Sequence, residues 1–165
     1  MSAEATSIAD VLGILDALEG AGVSASIGGG WGVDALVGRQ TRPHSDLDLC
    51  LADGQLEAAL QALAGPGYRI KVDERPTRIL VAGPGIGAID LHPLRSMPDG
   101  TARLAAPDGS YFVFAAGSLD GRGTIGGRAV RCFTRERQLI AHSGYEPDEE
   151  DRWDLALLGG IEPSA

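Results

Sequence analysis

Gly28 to Leu51 reads GGGWGVDALVGRQTRPHSDLDLCL, a glycine turn, a short helical pattern, an Arg- and His-containing loop and a strand with two acids. Side chains alternate along a strand, so Asp46 and Asp48 share one face while Leu47 and Leu49 point into a core on the other. Two carboxylates a few ångströms apart repel each other. A divalent cation relieves that repulsion, and Mg²⁺ is typically held by one or two carboxylates together with substrate phosphates. Gly28, Gly29 and Gly30 precede the helix and permit close backbone approach, where free N–H groups and the positive helix end favour phosphate. Phosphate at the glycines and a cation at the aspartates are what a nucleotide-using transferase needs.

The surrounding pattern predicts a single α+β domain over residues 1–165, a mixed sheet flanked by helices, with a C-terminal helical extension from about residue 134. Residues 7–20 carry apolar side chains at helical spacing, Ser7 caps them, and Gly20 and Gly22 stop them. Residues 23–27 form a short strand, 31–37 a short helix, 47–51 the acidic strand and 55–64 an amphipathic helix. The middle is rich in strands: 68–72, 78–81, 88–91 and 110–115, then a hairpin around Gly126-Gly127 with arms 124–125 and 129–132. Helical patterns resume from Thr134 to about His142 and from Asp148 to Leu158.

Composition narrows the function. Net charge is −9, which argues against a nucleic-acid polymer as partner. No basic-then-apolar leader and no membrane-length apolar run occur, so the expected setting is cytoplasmic with no membrane partner. Cys50 and Cys132 sit in apolar strands and read as buried, reduced thiols.

Asp90 is the third acid of interest. It interrupts the apolar run Ala88–Leu91, where a charge needs a partner, either a metal shared with Asp46 and Asp48 or an arginine. If its strand neighbours the acidic one, three carboxylates converge, and Asp90 can also take the proton of an attacking hydroxyl. His92 faces the same way and can donate to a carboxylate or contact substrate. On the loop, Arg39, Thr41, Arg42 and His44 are candidate phosphate contacts, Arg42 first because its fork suits phosphate oxygens. His44 serves equally as a structural hydrogen bonder. The acidic run Glu146–Asp151 reads as a solvated helix start, with attraction of a cationic substrate as the alternative. Tyr145 packs at the break between the last helices or lines a cleft.

These residues resemble a family. GGGWGVDALVGRQTRPHSDLDL, IDLHPL (89–94), DGSYFVF (108–114) and RQLIAHSGYEPDEEDRWDLALL (137–158) are similar to the small antibiotic nucleotidyltransferases. These are the lincosamide nucleotidyltransferases and the aminoglycoside 2″-adenylyltransferases of the DNA polymerase β-like superfamily. The short length and the HSGY break resemble the lincosamide branch more. The resemblance implies the nucleotidyltransferase fold, with Asp46, Asp48 and Asp90 as catalytic and metal-binding residues and Asp90 as metal ligand or general base. It also implies Gly28 and Gly29 at the phosphates, though three glycines stand where the turn uses two. Mg²⁺ would be the cofactor and a nucleoside triphosphate, ATP first, the co-substrate. An alcohol would attack the α-phosphorus and release pyrophosphate. The implied acceptor is a small hydroxylated molecule, a lincosamide first and an aminoglycoside second, with antibiotic resistance as the role. A non-catalytic nucleotide-binding module or a transferase acting on protein are the alternatives. At this length no separate helical substrate domain is expected, so a homodimer would complete the pocket.

Overall fold

The computed structural model describes residues 4–164. Helix α1 (Ile8–Gly20) begins at a Ser7–Asp10 capping box. Strand β1 (Ala25–Ile27) runs into the glycines, and helix α2 (Gly29–Val37) starts at once and ends at left-handed Gly38. The loop returns as strand β2 (Asp46–Ala52), followed by a 3₁₀ turn and helix α3 (Leu56–Ala64). Strands β3 (Arg69–Glu74), β4 (Arg78–Gly83), β5 (Ile86–Ser96), β6 (Ala102–Ala105) and β7 (Tyr111–Phe114) fill the middle. A hairpin of β8 (Gly121–Ile125) and β9 (Arg128–Cys132) leads to helices α4 (Arg135–Ala141) and α5 (Glu149–Leu158).

The main sheet has the order β3-β4-β5-β2-β1-β9-β8, and β6 and β7 extend from the far end of β5. The β2–β5 and β1–β9 pairs are parallel and the others antiparallel. This is the expected mixed sheet. Leu47, Leu49 and Leu51 are buried on one face with α1, α3 and Trp31. Across the sheet, Cys50 joins Leu94, Leu104, Phe114 and Phe133 in a second cluster under the β6–β7 hairpin. A third cluster packs Val33 of α2 against Leu157 and Leu158 of α5. No helix among the described residues is long and apolar enough to cross a membrane.

Two elements exceed the sequence expectation. Strand β5 continues through Pro93 to Ser96. Pairing with β4 ends at Leu91, so the proline, which has no N–H, sits where that side needs no donor. Strand β6 has little intrinsic strand character, and its pairing to β5 and β7 makes it a strand.

Asp34, only 1% exposed in α2, ties the loop down. Its carboxylate accepts from Thr41 N (2.9 Å) and Thr41 Oγ1 (2.5 Å) and lies 2.6 Å from His44 Nε2. The loop therefore enters β2 with Asp46 already aimed. Asp34→Ala removes the acceptor that three donors share. It is expected to lower unfolding free energy by about 3–5 kcal/mol in urea titration, and Asp34→Asn by less.

Candidate active site

The parallel register of β2 and β5 sets Asp48 directly beside Asp90. His92, two residues on, faces the same way, and its Nε2 lies 3.4 Å from Asp48 Oδ1 and 3.9 Å from Asp90 Oδ1. One ligand atom from each of Asp48, Asp90 and His92 falls within 4.8 Å of the others, a spacing a single cation can bridge. Asp46 shares the face one step away but is outside that tight group. The convergence inferred for three acids thus includes a histidine as its third tight member.

Burial, then charge, accounts for the carboxyls' behaviour. Burial first, then Asp48 and Asp90, holds the Asp46 carboxyl above its ordinary range. Burial also raises Asp90, with His92 and Arg78 opposing it. Arg78 Nε donates to Asp90 Oδ1 at 3.2 Å, so the arginine partner and the carboxylate cluster, read from sequence as alternatives, are both present. A cation at this face would relieve the repulsion that remains.

The glycine turn meets the same carboxylates. Gly28 N donates to Asp48 C=O at 3.0 Å. Gly29 has φ +57°, and a side chain there would collide with the Asp48 carboxylate. A Cβ on Gly30 would lie 2.5 Å from His44 Nδ1 and 2.7 Å from Arg42 Nη2. Gly32 is the first α2 residue whose N–H reaches an intrahelical acceptor, Gly28 C=O, so the amides of Gly29 and Gly30 lie before the ladder begins. All three glycines are used: Gly28 gives room to the Phe133 ring, Gly29 to Asp48, Gly30 to the loop side chains.

Helices α4 and α5 supply the opposite wall. A cleft of about 260 Å³ is lined by Gly29, Gly30, Asp46 and Asp48 on one side and by Gln138, His142, Tyr145, Asp148, Glu150, Asp151 and Asp154 on the other. A larger hollow of about 650 Å³ between α1 and β9 contains none of these groups. The acidic start of α5, read from sequence as a solvated face, is capped by an Asp148–Asp151 box and also lines this cleft.

The predicted phosphate-binding side chains have protein partners. Arg42 donates both arms of its fork to Asp154, Nε to Oδ1 at 3.2 Å and Nη2 to Oδ2 at 3.0 Å, and lies 3.2 Å from Glu150. Thr41 Oγ1 donates to Asp34 and accepts from Trp153 Nε1 at 3.1 Å. His44 faces Asp34 through Nε2, the structural hydrogen bond anticipated as one of its two roles. Arg42 and His44 still line the cleft, and Arg39 pairs with Glu162 away from it. Burial pushes the Cys50 and Cys132 thiols up to about 12 and about 11, so both stay protonated and inert.

Sequence reasoning did not single out Asp34, Gln138 or Asp154, all essentially buried. The available signal was an acid or amide inside an apolar stripe. Asp154 shares a helix face with Leu157 and Leu158.

Fold and site together define a nucleotidyltransferase. The aminoglycoside-2″-adenylyltransferase family profile matches residues 10–158. A lincosamide resistance protein of Staphylococcus haemolyticus is 34% identical over 148 residues, 90% of this chain and 91% of that protein. A 2″-aminoglycoside nucleotidyltransferase of Klebsiella pneumoniae is 35% identical over 126 residues, 74% of this chain and 64% of its own length. The crystal structure of the lincosamide antibiotic adenylyltransferase LnuA, lincomycin-bound, matches with a TM-score of 0.85 at 32% identity, covering 96% of this chain and 99% of that one. ANT(2″)-Ia in complex with adenylyl-2″-tobramycin shares the fold at 22% identity, with a TM-score of 0.69. The chain belongs to the aminoglycoside-2″-adenylyltransferase family of nucleotidyltransferases.

His142 offers a pH test of the cleft wall. Its Nδ1 lies 2.8 Å from Gln138 C=O and its Nε2 3.4 Å from Asp154 Oδ2, two acceptors that both ask for a proton. The Asp154 hydrogen bond, against burial, holds the imidazole above its usual range. A raised histidine stabilises fully below its unfolded value of about 6.5, and that stability is lost as pH climbs through the folded value. The thermal midpoint should therefore fall as pH rises above about 6.5. His142→Asn should flatten that slope, a difference of about 1 kcal/mol or about 2–4 °C.

Proposed function

We propose that this enzyme transfers a nucleoside monophosphate from a nucleoside triphosphate to a hydroxyl of a lincosamide-type antibiotic and releases pyrophosphate. The carrying observation is that Asp48, which lines a cleft floored by the glycine turn, stands in register beside Asp90. The extent of the match to the lincosamide relatives, over nine-tenths of both chains, supports a lincosamide ahead of an aminoglycoside as acceptor.

Each residue has a distinct task. The amides of Gly29 and Gly30 bind phosphate oxygens at the start of α2. Asp48 and Asp90 would hold Mg²⁺, with His92 beside them and Asp46 one step along the same face as a further ligand; the donor chemistry fits, since Mg²⁺ takes carboxylate oxygens and substrate phosphates. Bound there, the ion supplies charge neutralisation and orientation of the triphosphate. Asp90, its carboxyl raised by burial, accepts the proton of the attacking hydroxyl. Asp34, through Thr41 and His44, and Asp154, through Arg42, brace the loop above the phosphates. The acids of the α5 wall favour an acceptor carrying a positive charge, since a cation there replaces lost solvation with Coulomb attraction.

The cleft of about 260 Å³ falls just below the size usual for a drug-sized ligand, so a second copy of the chain completes the acceptor seat in this reading. A single-chain mass in solution across micromolar concentrations would remove that part.

The deciding experiment measures pyrophosphate release with Mg²⁺, each of four nucleoside triphosphates and panels of lincosamides and aminoglycosides, with mass spectrometry of the acceptors. Release with a matching mass gain on a lincosamide is expected. Nucleotide binding without release on any acceptor would favour a non-catalytic module, and label on protein would favour a protein-modifying transferase. Asp48→Asn should keep the fold by circular dichroism and lower release by about 10²–10³-fold or more.

A further inference from the structure

Helix α4 turns one stripe toward the active site. Gln138 and Ala141 line the cleft, and Gln138, wholly buried, donates Nε2 to Gly29 C=O at 3.2 Å. Arg137 stands four residues before Ala141 and so belongs to the same stripe. Helical side chains lean toward the N-terminus of their helix. Arg137 accordingly reaches back over the Phe114 ring, its guanidinium carbon 3.8 Å from the ring centroid.

A buried, unpartnered nitrogen sets it apart from the other arginines among the described residues. Arg39, Arg42, Arg75, Arg78, Arg95, Arg128 and Arg131 each hold a carboxylate. Arg137 has none among the described residues, and its Nε is buried without a hydrogen-bond partner. Burial lowers its pKa with only the Cys50 thiol opposing, which is the signature of a desolvated cation lacking an anion. The aromatic stack offsets part of that penalty and covers one face of the guanidinium. The buried Nε–H is left without a protein acceptor.

The position fits a particular anion. Phe114 packs edge-on to Phe133, whose ring fills the space at Gly28, so Arg137, stacked on Phe114, stands next to the glycine turn, and Cys50, two residues beyond Asp48 on the same strand face, is the titratable group that acts on it. In the sheet order β5-β2-β1-β9, Asp90 is on one side of β2, and the glycine turn and α4 are on the other. An acceptor hydroxyl deprotonated at Asp90 displaces the leaving group in line, away from β5 and toward α2 and α4. Resting on the transfer reaction proposed above, we infer that Arg137 is a binding residue for the β- and γ-phosphates of the nucleotide, and hence for the departing pyrophosphate.

The test is direct binding of magnesium pyrophosphate by calorimetry to the wild-type protein, Arg137→Met and Arg137→Lys, with the nucleoside monophosphate as control. Methionine keeps packing against Phe114 and loses the charge. Its affinity for pyrophosphate should drop about tenfold or more, the factor for one lost charge-assisted hydrogen bond, while monophosphate affinity stays put. Lysine should recover part of the loss. Should the methionine variant not fold, Arg137→Gln gives the same comparison. Affinity within twofold of wild type in a folded variant overturns the assignment and leaves the active-site reading intact. Failure of the wild type to bind either pyrophosphate or nucleotide overturns both.

Discussion

The register between two parallel strands is the constraint on which this molecule depends. Asp48 pairs beside Asp90, and His92 follows on the same face, so two carboxylates and an imidazole crowd into a few ångströms. No fold gains stability from such a cluster by itself: burial raises the Asp46 and Asp90 carboxyls, and mutual repulsion adds to it for Asp46 and Asp90 alike. Arg78 offsets part of this at Asp90. The leucines on the opposite face of β2, fully buried against α1 and α3, hold the acids where they are. Each large side chain buried there contributes about 1.5–3 kcal/mol toward holding that face in place.

The glycine run is the second half of that constraint. A methyl group at Gly29 would strike Asp48, and one at Gly30 would strike His44 and Arg42. The start of α2 and the acidic strand thus approach closer than any side chain permits. This brings unpaired helix amides to the carboxylates. Buried ion pairs then lock the geometry. Asp34 clamps the returning loop, and the Arg42–Asp154 fork and the Trp153–Thr41 hydrogen bond fasten α5 to it. A long-range contact over 112 residues closes the cleft, which makes the C-terminal helices part of the site.

Family membership and this geometry support the same chemistry by separate routes. The relatives' shared sequence spans nearly the full chain. The cleft joins the glycine turn and Asp48 to an acidic wall, the layout on which the proposed transfer to a cationic acceptor rests. Arg137 adds a feature internal to this chain, a guanidinium stacked on Phe114 whose buried Nε has no partner, with no acid paired to it among the described residues.

The amino-acid sequence by itself determined the local periodicities: the capped helices at Ser7, Thr134 and Asp148, the acidic strand with Leu47 and Leu49 inward, and the glycine turn before a helix. These follow from spacing and capping within a few residues, so they are legible without a partner. It also marked Asp90 as a charge needing company. Which company required the tertiary structure, because strand register, not spacing along the chain, sets Arg78 and Asp48 around it. The same holds for the loop. Arg42 and Thr41 read as phosphate contacts and His44 as a phosphate contact or a structural hydrogen bonder, and the fold brings Asp34 and Asp154 to them. Strand β6 and the continuation of β5 through Pro93 likewise come from pairing rather than propensity. A side chain's partner lies tens of residues away in this topology, and only packing of the completed sheet decides which one it meets.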